Sequence, residues 1–252
     1  MVDEIKKERI LKLGSNVTQE ELDSIFRMKP RMEKVAIKDA KMRTFIASDN
    51  LRGGMVSHVY DVTYGLVRND IDTLVVIDDS IVRGTTLRDS ILKILNTLRP
   101  KKIIIVSSAP QIRYPDCYGI DMSKIKNFVA FRALVALLKE SGKENLLEDT
   151  YEKCQAELSK NKGESLSNPV KDLYALFSYE QVSDKICELL TPKDFKPEIK
   201  VIYQTVADLN KSCPDNLGDW YFSGDYPTEG GMRVVNKAFI NFIENVDARA
   251  YM

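Results

Sequence analysis

Residues Thr73 to Thr86 read TLVVIDDSIVRGTT. Leu74, Val75, Val76 and Ile77 make a short apolar run rich in β-branched residues, which predicts a strand buried on both faces of a parallel sheet. Polarity switches abruptly at Asp78, Asp79 and Ser80. Gly84, Thr85 and Thr86 then lead into apolar positions at Leu87, Ile91, Ile94, Leu95 and Leu98. Their spacing places these groups on one face of a helix. The stretch therefore reads as strand, acidic tip, small-residue loop and helix.

That order of elements suits a phosphorylated sugar. A loop entering a helix presents backbone N–H groups without intrahelical partners, together with the positive end of the helix dipole. Gly84 allows close approach of the backbone to an anion, and the hydroxyls of Thr85 and Thr86 add donors. Adjacent carboxylates at a strand end can accept hydrogen bonds from ribose hydroxyls or hold Mg²⁺, a hard cation that prefers oxygen. Taken alone, Asp78 to Ser80 could equally be turn residues and Thr85 or Thr86 a plain helix cap. Strand, paired acids, Arg83–Thr86 and helix in one register favour the phosphate reading.

Working outward, Ile103 to Val106 form a second apolar run beyond Pro100, which with the first predicts a βαβ unit. Ser107-Ser108-Ala109-Pro110 then falls at the same sheet edge as Asp78, the edge where parallel sheets gather ligands. The irregular segment that follows offers Arg113 and Tyr114 to line a site. Upstream, residues 2–13 read as a helix. Thr18 with Glu21 makes a capping box that opens another helix through about Met28. Residues 34–47 alternate well enough for an extended strand or two.

Downstream of Met122 the composition becomes helical. Segments at 123–142, 143–161, 172–190 and 197–211 read as helices, and a final one runs from Arg233 to about Asn245 after a Gly/Pro turn. The predicted organisation is a helical lead-in over 1–32, an α/β domain over 33–150 and a helical region over 151–252.

The chain of 252 residues can bury one substantial core. Basic and acidic residues balance at 37 each, so no global field draws nucleic acid or an anionic membrane. No apolar run approaches the ~20 residues of a membrane span, and the charged start MVDEIKKERI is unlike a signal peptide. The reading is a soluble, cytoplasmic protein without nucleic-acid or membrane partners. Cys117, Cys154, Cys187 and Cys213 are widely spaced and read as reduced thiols.

VVIDDSIVRGTT resembles the phosphoribosyl-pyrophosphate (PRPP) signature of the type I phosphoribosyltransferases. With SSAPQIRYPDCYGIDM after it and YFSGDYPTEGGMRVVNKAFINF near the end, it is similar to the version carried by the glutamine amidophosphoribosyltransferase family. The resemblance implies a type I phosphoribosyltransferase-like parallel sheet, here incomplete at its N-terminal side. It implies formation of phosphoribosylamine from PRPP and ammonia, with release of pyrophosphate, as the first step of purine synthesis. Asp78 and Asp79 would hold the ribose hydroxyls or Mg²⁺, and Ser80, Arg83, Gly84, Thr85 and Thr86 the 5′-phosphate. RTFI matches a family segment at the PRPP entrance, which makes Arg43 a candidate ligand. Arg52, in a glycine-bearing loop, is the best retained cation of the family's closing loop. Ammonia would come from a glutaminase domain that this chain lacks, and the full enzyme would be a homo-oligomer. Some relatives carry an iron–sulfur cluster; here only Cys213 lies near the second ligand pair, so no cluster is expected. The rival reading is a non-catalytic regulator of the same fold that binds PRPP or nucleotides.

Overall fold

The computed structural model describes residues 2–14, 17–29, 31–38, 60–116, 122–215 and 218–250. Two helices, α1 (Val2–Leu13) and α2 (Gln19–Phe26), come first, followed by a short antiparallel pair, β1 (Ala36–Lys38) and β2 (Tyr60–Val62). The capping box on α2 is formed: Thr18 Oγ1 accepts from the Glu21 N–H at 3.3 Å, and the Thr18 N–H donates to the Glu21 carboxylate at 3.0 Å.

The sheet that organises the rest has three parallel strands in the order β3 (Thr73–Asp78), β4 (Lys102–Ser107) and β5 (Glu198–Tyr203). A π-helical turn at Leu87–Ile91 runs into α3 (Leu92–Thr97) between β3 and β4. A 3₁₀ turn at Ile125–Asn127 precedes α4 (Val129–Glu140), and α5 (Asn145–Ser159), α6 (Val170–Tyr174) and α7 (Tyr179–Leu190) follow. After β5 come α8 (Val206–Ser212), α9 (Trp220–Ser223) and α10 (Glu229–Ile243). The α/β class and the βαβ unit read from the sequence are both present.

Three readings are corrected, two of them in the sheet. Residues 197–211, read as a helix, supply β5 before α8 begins at its Thr205 cap. Ile199, Val201 and Tyr203 alternate with Glu198, Lys200 and Ile202, a period of two that fits pairing along β4 better than a helical face. Among the described residues the C-terminal region is thus helical with one strand, which pairs with β4. The other correction concerns β3, which is covered on one face only. Leu74 and Val76 pack into the core, whereas Val75 is 61% and Ile77 75% exposed. Register explains this: Leu74 and Val76 stand beside Ile103 and Ile105 of β4, both fully buried, on the face that packs on helices.

The core lies on that covered face. Helix α7 packs on α4 and on β5, and α5 packs on α10. Phe131 of α4 meets Phe239 and Phe242 of α10 edge-on, with ring centroids 6.1 and 4.8 Å away. The segment 172–190, read as one helix, breaks into α6 and α7 because Ser178 and Gln181 make a second capping box at 3.1 and 2.8 Å. Among the described residues no helix is long and apolar enough to cross a membrane.

Candidate functional site

Strand β3 ends at Asp78, which shares a register with Ser107 of β4 and Tyr203 of β5. Strand alternation puts the Asp78 side chain on the covered face, where it is half-buried, and leaves Asp79 exposed. Each carboxylate turns back onto the next peptide. Asp78 Oδ1 accepts from the Asp79 N–H at 3.0 Å, and Asp79 Oδ1 accepts from the Ser80 N–H at 2.7 Å. The acidic tip is anchored from β4: the Ser108 N–H and Oγ–H both donate to the Asp78 carbonyl, at 2.9 and 2.8 Å, and the Ala109 N–H donates to the Asp79 carbonyl at 3.0 Å. Ser107 to Pro110 therefore serve the site as a brace for its acids.

The loop beyond the tip encloses a cavity of about 360 Å³ lined by Asp78, Ser80, the run from Ile81 to Leu87, and Met122. Six of the residues named from the sequence meet there: Asp78, Ser80, Arg83, Gly84, Thr85 and Thr86. Asp79 stands at the tip beside that lining. Arg43 and Arg52 fall outside the described residues. Gly84 is required twice over. Its φ of +71° lies in the left-handed region, and a Cβ there would come within 2.3 Å of Leu190 Cδ2 on α7. Leu190 sits over a hundred positions beyond the motif, so no local pattern could have flagged it.

Arg113 and Tyr114 leave the site, contrary to the sequence reading. Arg113 stacks over the rings of Tyr174 and Tyr179, at 4.7 and 5.1 Å, and donates to Gln111 Oε1 at 3.0 and 2.8 Å. Tyr114 is 2% exposed, its ring edge-on to Tyr174. Both are held inside the protein by aromatic neighbours that come from a distant part of the chain.

Electrostatically the two acids of the tip oppose one another. Burial, and after it the neighbouring Asp79 carboxylate, push the Asp78 carboxyl above its ordinary value. Neighbouring carboxylates repel one another when both are ionised, a cost that a bound cation would remove. No group of three or more His, Cys, Asp or Glu gathers among the described residues. Asp78 and Asp79 could offer a hard cation two carboxylates and would leave further positions to a ligand's own oxygens, as Mg²⁺ sites usually do.

The chain is similar to amidophosphoribosyltransferases. It is 45% identical to the Haemophilus influenzae enzyme over 58 residues, a match covering 23% of this chain and 11% of that protein. The Escherichia coli enzyme is 42% identical over 57 residues, with the same coverage of each chain. The Lachancea kluyveri enzyme is 35% identical over 89 residues, 33% of this chain and 17% of that protein. The chain thus matches only about a tenth to a sixth of the length of these curated relatives. A Bacillus subtilis glutamine PRPP amidotransferase complexed with ADP and GMP superposes on 77% of this chain and 32% of its own, at 23% identity and a TM-score of 0.40. No family model matches the chain.

Proposed function

We propose that this chain carries the phosphoribosyl-transfer site of an amidophosphoribosyltransferase, a cytoplasmic enzyme of purine biosynthesis. The observation that carries the reading is the acidic tip of β3 feeding directly into the Gly84 loop around one cavity, in a chain similar to enzymes of that name. The reaction joins ammonia, derived from glutamine, to C1 of PRPP. A C–N bond forms, the bond from C1 to the pyrophosphate oxygen breaks, and the pyrophosphate departs with that electron pair.

Displacement at such a carbon passes through a cationic sugar, so the protein contributes chiefly position and charge. Asp78 and Asp79 accept the ribose hydroxyls, and their negative charge faces the developing cation. Ser80 and the loop Arg83–Thr86 hold the 5′-phosphate with backbone N–H groups, hydroxyls and the start of the helix. Arg43 and Arg52 are assigned to the phosphate groups on the entrance side. When bound, Mg²⁺ would rest on Asp78 and Asp79 and neutralise the leaving pyrophosphate. In this reading the working enzyme is a homo-oligomer and uses no iron–sulfur cluster.

Calorimetric titration with PRPP and Mg²⁺ tests the reading. Asp78→Asn combined with Asp79→Asn should weaken binding by about 1–3 kcal/mol for each charged hydrogen bond lost. Unchanged affinity in the double variant, at equal folded fraction, overturns it. PRPP binding without phosphoribosylamine formation from PRPP and ammonium would instead support a regulator that only senses PRPP.

A further inference from the structure

The loop that forms the cavity is backed by α4, and we propose that Arg132 of that helix is a positioning residue for phosphate binding, because it sets the Arg83–Gly84 peptide. The inference rests on the reading of this loop as a sugar-phosphate site and adds to it a residue outside the motif. Arg132 Nη2 donates to the Arg83 carbonyl at 2.8 Å. Three residues earlier, the Val129 N–H donates to the Val82 carbonyl, also at 2.8 Å. One helix thus holds two successive carbonyls of the loop.

Peptide planarity turns that grip into a direction. In a trans peptide the carbonyl and the next N–H point opposite ways. With the Arg83 carbonyl drawn toward α4, the Gly84 N–H is turned away from α4. The cavity lies among Val82, Arg83 and Gly84, and no residue of α4 lines it. The Gly84 N–H is thereby offered to the cavity side, where an anion would accept it. The positive guanidinium stands behind the same peptide, where its charge favours an anion in front.

Arg132 is poorly placed for a residue with a purely structural task. It is half-buried, and its buried Nε has no hydrogen-bond partner. Burial, and after it the charge of Arg88, disfavour its charged form, while the Asp89 carboxylate that favours it is shared with Arg88 at 2.8 and 3.0 Å. An incompletely satisfied buried charge can often be replaced by an apolar side chain of similar size with no loss of stability. What Arg132 supplies that such a side chain cannot is the grip on the Arg83 carbonyl and the charge behind it.

The probe is ribose 5-phosphate, measured by calorimetry on the full chain, beside the ¹⁵N chemical shift of the Gly84 amide without ligand, which responds to the hydrogen bond on the preceding Arg83 carbonyl. Arg132→Met should weaken ribose 5-phosphate binding roughly tenfold or more and move that resonance, while the melting temperature holds or rises. Arg132→Lys, which keeps a charged donor, should restore most of the affinity. If Arg132→Met does not fold, Arg132→Gln takes its place, and the same loss is expected from its shorter, neutral amide. Wild-type affinity or an unmoved Gly84 resonance in the folded neutral variant overturns the proposal. Failure of the wild-type chain to bind ribose 5-phosphate defeats the sugar-phosphate reading. The Gly84 shift still decides in that case whether Arg132 orients the peptide.

Discussion

The loop after β3 and the loop after β4 leave neighbouring parallel strands at the same sheet edge, from Asp78 and from Ser107. Beyond Ser107 nearly every polar group is used inside the protein. Gln111, 1% exposed, receives two bonds from Arg113, and its Nε2 donates to Ser183 Oγ at 2.7 Å and to the Tyr179 carbonyl at 2.9 Å. The N–H groups of Arg113 and Tyr114 both donate to the Tyr221 carbonyl, and Tyr226 Oη–H donates to the Pro115 carbonyl. Beyond Asp78 the pattern reverses. The carboxylates accept from the adjacent peptides, and the loop borders a cavity. Topology gives both loops the ligand-binding edge; internal satisfaction of polar groups decides which of them can still bind anything.

Substitutions that exchange the two behaviours test this contrast most severely. Tyr114→Ala empties a buried ring site in the satisfied loop and should cost about 3–5 kcal/mol of stability, the range for large buried aromatics. Chemical denaturation reads it directly, and a loss below about 1 kcal/mol would mean the loop is not the packed brace described. Next in size is Gly84→Ala in the open loop. Crowding against Leu190 should destabilise by about 1–3 kcal/mol and displace the Arg83–Gly84 peptide. Leu190→Ala in the same chain removes the clash but leaves the positive φ. A double-mutant cycle should therefore show favourable coupling between the two changes. Strict additivity would mean that α7 does not set the position of the loop.

Much of this was legible in TLVVIDDSIVRGTT, because a buried strand, its polar tip and a helix face are all local patterns. Six of the nine residues assigned to PRPP line the cavity for that reason. What the sequence hid is non-local. Val75 and Ile77 look identical to Leu74 and Val76 in composition, and they are exposed because among the described residues the packing lies on the other face of β3. EIKVIY is short and its neighbours are helical, so pairing along the edge of β4 and not the local pattern decides its state. Arg113 is open to line a site on the sequence because it lies in the irregular segment beyond the ligand-gathering edge of β4. Tyr174 and Tyr179, which capture it, are contributed by other elements. Arg132 sits in an amphipathic helix where nothing local marks it.

The smallest effect compares the two ends of β3 itself. Asp72, just before the strand, accepts from the Arg68 side chain at 2.7 and 3.0 Å, from the Arg68 N–H at 2.9 Å and from Arg31 at 3.0 Å. The Arg68 bonds foremost draw its pKa from 3.8 down to about 2. Asp78, at the other end, is pushed the opposite way by burial and then by Asp79. Their contributions to stability therefore slope in opposite directions with pH. The lowered Asp72 stabilises the fold fully above its ordinary value of 3.8, and this is lost as pH falls through about 2. The raised Asp78 favours the fold while protonated, and that preference is lost as pH rises through its elevated pKa. Melting curves between neutral and acid pH should accordingly show Asp72→Asn less stable than wild type at pH 7, with the gap closing toward pH 2. Asp78→Asn should be as stable as wild type at pH 7 or slightly more so, since it removes a half-buried charge that repels its neighbour. An Asp78→Asn chain weakened at pH 7 as much as Asp72→Asn would show that the tip is satisfied internally after all, and the contrast between the closed and open ends of β3 would fail.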